Sequence, residues 1–368
     1  MIQFVNLLIK INVIYRMNAF KKVVNLYRKK VTRLVTSGLL DKQSANFSNS
    51  SEVKRILITR PNHRLGNQLL ITPLVKEVHN QFPEAKIDLF LKGNLGGLIF
   101  ENYDYVDTIM SLPKKHFNEL GRYLLVWIKL KQKKYDLVIN AEASSSSGRL
   151  STKVCRAKNK FFGFERHHNL ITCQDGIHIS KYPIYSLRYF LRQPLTAKVL
   201  PSLEIKLSNE EVFNGVKLLK HYAVLDKPTI CLYTFATDRK CFEKVWWNNF
   251  YESLAKIFPN YNIIEILPVE NISALNYKIP SFYSKNIREI ASFISQTSLF
   301  ITGDCGMMHL AAATQTPTVG LFNVTNKDMY GPYNKNCLNI DVNLKNEFDI
   351  CLSIKTHTES LTLYDLEA

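Results

Sequence analysis

Apolar residues in this chain gather into short, nearly unbroken runs at regular intervals from residue 53 onward. In the first half they are RILIT (55–59), KIDLFL (86–91), VDTIMSL (106–112) and YDLVIN (135–140). In the second half they are PTICLYTF (228–235), YNIIEIL (261–267), SLFIT (298–302) and PTVGLF (317–322). A continuous apolar run is what a strand shows when both its faces are covered, as in a parallel sheet under helices. Helical spacing fills the intervals around 68–82, 94–102 and 116–133, then 208–222, 246–258, 286–296 and 306–314. Strand and helix alternating in this way predict an α/β fold of two doubly wound domains in tandem. Pro194 and Pro201 punctuate the join, giving domains of 53–200 and 201–368. In such folds ligands bind beyond the carboxyl ends of the strands, so the cleft between the two domains is the expected site.

The first 52 residues follow another pattern. Phe20, Val23, Val24, Tyr27, Val31, Leu34 and Val35 recur at helical spacing over 17–35, with Lys21, Lys22, Arg28, Lys29, Lys30 and Arg33 between them. That spacing predicts a basic amphipathic helix, followed by the polar linker DKQSANFSNSSE (41–52). Such a helix either lies on an anionic membrane face or docks on its own domain with the basic side in water. Charge sharpens this. The net charge is +17, and residues 1–50 hold nine Lys or Arg against one acid, Asp41. Anionic partners follow: nucleic acid, acidic lipid or phosphorylated glycan. The excess is concentrated in the arm and the chain carries no nucleic-acid module, so no nucleic-acid partner is expected. MIQFVNLLIKINVIY (1–15) is broken by Asn6, Lys10 and Asn12 and lacks the order of a signal peptide. Seven scattered cysteines, with no C-x-x-C pair, point to reduced thiols rather than a disulfide or zinc framework. Together these suggest a cytoplasmic protein peripheral to the inner membrane face.

The chain has no G-x-x-x-x-G-K-S/T, no G-x-G-x-x-G after the first strand, no D-x-D, no H-E-x-x-H and no G-x-S-x-G. P-loop, nicotinamide, metal-bridged diphosphate, zinc-protease and serine-hydrolase chemistry are therefore unsupported. The strongest stretch is SLFITGDCGMMHLAAATQTPTVGLFNVT (298–325). A strand ends at Thr302, Gly303-Asp304-Cys305-Gly306 turn, and a helix begins. That arrangement aims free N–H groups and a positive dipole end at the cleft, suited to phosphate. His309 falls one turn into the helix, and Asp304 is placed to cap it or to accept from a ribose hydroxyl. Against this, Asp304 as a plain cap and His309 as a packed core histidine are the bland readings. A second stretch, RPNHRLGNQLLITPL (60–74), is a polar turn after the first strand. A third, SSSSGRLS (144–151), follows the fourth strand and reads as a serine loop rimming the cleft, with Arg149 suited to a sugar or phosphate acceptor.

The 298–325 stretch resembles the D-T/S-G-x-x-H-x-A-A-A…P-x-x-x-L-F-G-x-T signature of glycosyltransferase family 9, the ADP-heptose:lipopolysaccharide heptosyltransferases. RPNHRLGNQLLITP is similar to that family's first loop, and FEKVWWNNFYESLA (242–255) to its K-R-W-P-x-x-x-F-x-x-L. The resemblance implies the GT-B architecture, two facing Rossmann-like domains with the donor nucleotide on the C-terminal one. It also implies inverting sugar transfer without a metal, from a nucleotide-diphosphate sugar such as ADP-heptose to an anionic glycolipid or other surface glycan. Carried across by position, Asp304, Gly306, Met307 and His309 fall among the nucleotide contacts. Lys244 matches the lysine expected to neutralise the departing diphosphate. Cys305, Asn323, Val245 and Trp247 depart from the family pattern.

Glycosyl transfer needs a stabilised leaving group and a base for the acceptor hydroxyl. The resemblance places that base as an Asp in the first loop, where this chain has Asn67. An amide does not take the proton. His63 in the same loop and Glu142 after YDLVIN are the alternative bases, and the sequence leaves both open. A second expectation is that Asn67 only orients the acceptor while departure of the sugar does most of the work; Arg60 and Arg64 either contact anionic acceptor groups or are simply exposed. The competing expectation is a silent glycan- or nucleotide-binding protein of the same fold.

Overall fold

The computed structural model describes residues 53–367 apart from 166, 174, 196–198 and 225, together with 27, 30, 31, 33–39 and 47 before them. The basic helix expected over 17–35 and the linker 41–52 lie largely outside the described residues.

The first sheet contains β1 (Arg55–Thr59), β2 (Lys86–Lys92), β3 (Val106–Leu112), β4 (Lys134–Asn140) and β5 (Arg156–Phe161), in the order β3-β2-β1-β4-β5. Its helices are α1 (Leu65–Leu69), α2 (Thr72–Gln81), α3 (Leu95–Ile99), α4 (Leu120–Gln132), α5 (Ser146–Val154), α6 (His168–Ile171) and α7 (Tyr182–Phe190). The second sheet contains β6 (Thr229–Tyr233), β7 (Asn262–Ile266), β8 (Ser281–Phe282), β9 (Leu299–Gly303), β10 (Thr318–Phe322) and β11 (Leu338–Asp341), in the order β11-β10-β9-β6-β7-β8. Its helices are α8 (Asn209–Lys220), α9 (Lys244–Ile257), α10 (Ile287–Ile294), α11 (Gly306–Ala313), α12 (Lys327–Tyr330) and α13 (Glu347–Glu367). Every pairing in both sheets is parallel. Each sheet reverses its winding beside its first strand, between β1 and β4 and between β6 and β9. That reversal opens the crevice in which such sheets bind ligands. The fold is the expected pair of facing Rossmann-like domains.

SSSSGRLS is not the expected loop. Its residues 146–151 open α5, capped by the Ser145 hydroxyl, which accepts from the Gly148 N–H. Low intrinsic propensity in a serine run is overcome by that cap and by burial of Gly148, Arg149, Ser151 and Thr152.

The larger apolar core runs through both halves, joining Ile56, Ile58 and Leu89 of the first sheet to Phe300 and Leu310–Ala313 of the second half. Between them lies a seam of direct contacts. The Ile205 N–H donates to the Ala313 carbonyl (2.9 Å) and the Ile179 N–H to the Met329 carbonyl (3.0 Å). The Tyr103 hydroxyl donates to the Glu204 carbonyl at 2.9 Å. Arg288 donates to the Leu98 and Lys206 carbonyls at 2.6 and 2.7 Å. All seven cysteines are unpaired.

Candidate active site

The carboxyl end of β1 delivers Arg60, and α1 itself delivers Asn67. Arg60 is 8% exposed, and one guanidinium nitrogen lies 3.1 Å from Asn67 Oδ1 and 3.5 Å from Glu142 Oε2. Burial draws the Arg60 pKa down, and the Glu142 carboxylate pulls it back. Glu142 comes from the end of β4, across the switch point, and also accepts from the Ser144 hydroxyl at 2.8 Å. Arg60, Asn67 and Glu142 thus form one cluster lining one small pocket. Glu142 also borders a cavity of about 940 Å³ that reaches Asn326, Met329 and Tyr330 of the second half.

The other residues singled out on this side are placed elsewhere. His63 packs against Gly93, and its pKa is lowered first by burial, then by Lys92, Lys114 and Arg64. It therefore sits in a cationic neighbourhood and does not line the pocket of the Arg60 cluster. Arg64 is exposed. Arg149, expected on the acceptor rim, is 4% exposed and holds structure instead. It donates to the Ala143 carbonyl and lies 3.5 Å from Glu165.

On the second half, β9 ends at Gly303 and α11 starts at Gly306. Asp304 does not cap that helix; the N-cap position is Cys305, and no side chain caps it. Asp304 Oδ2 instead accepts from Lys240 Nζ at 2.5 Å and from the Thr325 hydroxyl. Lys240 is the residue the sequence reading missed. It ends the one-turn helix Asp238–Lys240, where Asp238 has a positive φ of 56°. Lys244 is exposed at the first position of α9. The only signal for Lys240 was a second lysine four residues before the family-matched one. Trp247 is 1% exposed and Trp246 stacks on Phe242 and Phe250 at 4.3 and 5.2 Å, so both are core rather than cleft wall.

The two halves of the site meet where α1 packs on α11. A β-carbon added at Gly66 would lie 2.8 Å from His309 Cδ2, and one at Gly306 would lie 3.2 Å from the Gly66 nitrogen. A methyl group at Gly66 would force the His309 ring to shift and one at Gly306 would be tight against the α1 backbone, so glycine is favoured at both by close approach rather than by backbone angle. His309 is 5% exposed, and its Nδ1 is buried without a hydrogen-bond partner. Burial above all, then the proximity of His178, pushes its pKa down to about 4. At neutral pH it is an uncharged imidazole able to donate one hydrogen bond. Met307, also expected at the nucleotide, is 8% exposed beside it. Among the described residues, no three His, Cys, Asp or Glu side chains are grouped to hold a metal ion.

Chemically, one side offers a carboxylate, an amide and a buried guanidinium. The other offers a helix start, a lysine, two hydrogen-bonding side chains and a neutral imidazole. Such a pairing suits a proton acceptor facing a phosphate site.

Comparison with known proteins agrees with this fold. A model of the family described as "Glycosyltransferase family 9 (heptosyltransferase)" matches residues 283–359. The lipopolysaccharide core heptosyltransferase OpsX of Haemophilus influenzae is 21% identical over 278 residues, covering 71% of this chain and 77% of that protein. The lipopolysaccharide heptosyltransferase 3 of Escherichia coli is 24% identical over 297 residues, covering 74% and 84%. Among solved structures, a glycosyl transferase family 9 protein from Veillonella parvula superposes with a TM-score of 0.66 at 19% identity, covering 82% of this chain and 89% of that one. The E. coli heptosyltransferase WaaC with ADP gives 0.62 at 15% identity, covering 82% and 99%.

Proposed function

We propose, from the premise that this chain is a glycosyltransferase of the family 9 type, that it moves a sugar from a nucleotide-diphosphate donor to an anionic glycolipid of the lipopolysaccharide core, with inversion and without a metal. ADP-heptose is the first donor to try, because the relatives are heptosyltransferases and one solved neighbour contains ADP. The observation that carries the reading is the abutment of α1 on α11. It sets the Arg60–Asn67–Glu142 cluster on one side of a seam whose other side holds Lys240, Asp304 and the start of α11.

In the proposed reaction, Glu142 takes the proton from the acceptor hydroxyl as the oxygen attacks the sugar's anomeric carbon. Arg60 fixes the carboxylate, and Asn67 hydrogen-bonds the acceptor. The bond to the diphosphate breaks, and Lys240, Lys244 and the N–H groups of Gly306 and Met307 take up the charge left on its oxygens. His309 adds one hydrogen bond as a neutral donor, and Asp304 holds Lys240 in place. Between the two candidate bases, Glu142 is favoured because it shares the small pocket with Arg60 and Asn67, which His63 does not line. Residues 17–35 and the cationic surface keep the enzyme on the anionic inner membrane face, where the acceptor resides. Among the described residues no helix is long and apolar enough to cross a membrane.

Calorimetric titration with ADP, UDP and GDP tests the reading: micromolar to millimolar affinity for one of them is expected, and none for any would end it. Transfer undiminished in chelator tests metal independence. Asn67 supports a second reading, a nucleotide- or glycan-binding protein without turnover. It predicts nucleotide affinity with no product from any lipopolysaccharide acceptor.

A further inference from the structure

The helix α4 carries an apolar face that nothing among the described residues covers. Leu120, Leu124, Leu125 and Ile128 are 54, 60, 58 and 51% exposed. At 3.6 residues per turn they share one side of the helix. The opposite side is fully used: Leu130 is buried, and Tyr123, Val126 and Trp127 pack with Leu57, Phe90 and Leu112 on the first sheet. The helix therefore does not need these four leucine and isoleucine side chains for its own core. Four large apolar residues held in water on adjacent turns mark a surface for something else.

The surrounding charge says what. Residues 113–134 contain seven basic residues (Lys114, Lys115, Arg122, Lys129, Lys131, Lys133, Lys134) and one acid, Glu119. Arg122 pairs with Glu119 and Lys133 with Asp88, while Lys114, Lys115, Lys129, Lys131 and Lys134 are exposed. A second copy of the chain meeting this face about a two-fold axis would bring like charges together. A duplex or single strand of nucleic acid has no use for the apolar centre. A convex apolar ridge rimmed by cations fits the headgroup boundary of an anionic bilayer, where leucines enter the acyl region and lysines reach phosphates.

We infer that α4 is the membrane-docking face of the first domain, with Leu120, Leu124, Leu125 and Ile128 inserted and the flanking lysines on acidic lipid. The inference rests on the membrane contact proposed above and assigns it to a surface outside residues 17–35. It also orients the enzyme. α4 lies on the face of the first sheet opposite the seam core, so the switch-point cluster opens alongside the membrane rather than away from it.

The test is co-sedimentation of the full chain with vesicles of phosphatidylglycerol and phosphatidylethanolamine, and with phosphatidylcholine alone. Leu124→Ser/Leu125→Ser/Ile128→Ser should lower partition onto the acidic vesicles about tenfold, and Lys129→Glu/Lys131→Glu should lower it on acidic vesicles only. Melting temperature and nucleoside-diphosphate affinity should match the parent in both variants, which separates this inference from failure of the catalytic reading. Partition within about twofold of the parent would overturn it. So would a loss seen only on removing residues 1–50, or a variant that turns a parent dimer into a monomer while still binding vesicles.

Discussion

The carboxyl ends of the two sheets are furnished in opposite ways, although both sheets share the same strand order around the first strand. At β1 and β4 the chain sets full charges against one another in a confined place: Arg60 against Glu142, with Asn67 as the third member. At β9 it sets a helix start, nearly free of side chains, behind a single lysine–aspartate pair. In the proposed reaction the first arrangement serves a proton, because a carboxylate beside a fixed guanidinium is a positioned acceptor. In the same proposal the second serves a charge spread over several oxygens, because N–H groups and a lysine act over an area. One topology thus yields two chemistries through what the loops carry, which is why fold alone does not name a reaction.

The contrast can be broken most severely at Glu142. Glu142→Gln should lower turnover by ~10²–10⁴ while leaving nucleotide affinity unchanged, whereas His63→Gln should leave turnover nearly intact. Equal losses in rate assays of the two variants would dissolve the distinction drawn between them. On the other side, Lys240→Ala should weaken nucleoside-diphosphate binding by about one to two orders of magnitude in calorimetry, since a charge-assisted contact is worth roughly 1.5–3 kcal/mol. Lys244→Ala, at an exposed position, should have the smaller effect on binding; the reverse order would return the family-matched lysine to first place.

Smaller still is the effect on the seam that joins the sides. Gly66→Ala drives a methyl group into His309, and should cost about 1–3 kcal/mol of stability in chemical denaturation. His309→Ala in the same chain should recover part of that loss. Last comes pH. His309 and His178 both titrate near 4 in the folded protein, below the ordinary 6.5, so the unfolded chain binds more protons between those values. Stability is therefore complete above about pH 6.5 and falls as pH drops towards 4, approaching ~1.4 kcal/mol per pH unit for each imidazole. Melting curves across that window should show a shallower slope in His178→Gln.

How much of this was legible depended on burial. β1, β2, β6, β9 and β10 are covered on both faces and announce themselves as apolar runs. β5, RAKNKF, lies at a sheet edge with one neighbour, so its polar residues break the pattern and it was not expected. β8 has two residues and β11 four, too few for any period to register. α7 was missed because its core side holds a charge: Arg188 is buried with Glu77 at 2.7 and 3.0 Å, a pairing no hydrophobic pattern reveals. At the site, the glycine-rich helix start was readable because small residues and a histidine at fixed spacing leave few structural alternatives. Lys240 was not readable, because its role depends on a one-turn helix folding back over Asp304. Glu142 and His63 were equal in the sequence, and only Glu142 lines the small pocket with Arg60 and Asn67.

The strap Leu203–Lys206 has a consequence for how the protein is made. Leu203 and Ile205 are buried, and the strap bonds to Thr72 and Tyr103 of the first domain and to Ala313 and Asn334 of the second. During synthesis, residues 53–190 leave the ribosome just before the strap and long before Leu310–Ala313, which complete the shared core. The first domain therefore emerges unfinished, with α1 unsupported and part of its apolar face wet. Rare codons placed before residue 313 would prolong that exposure.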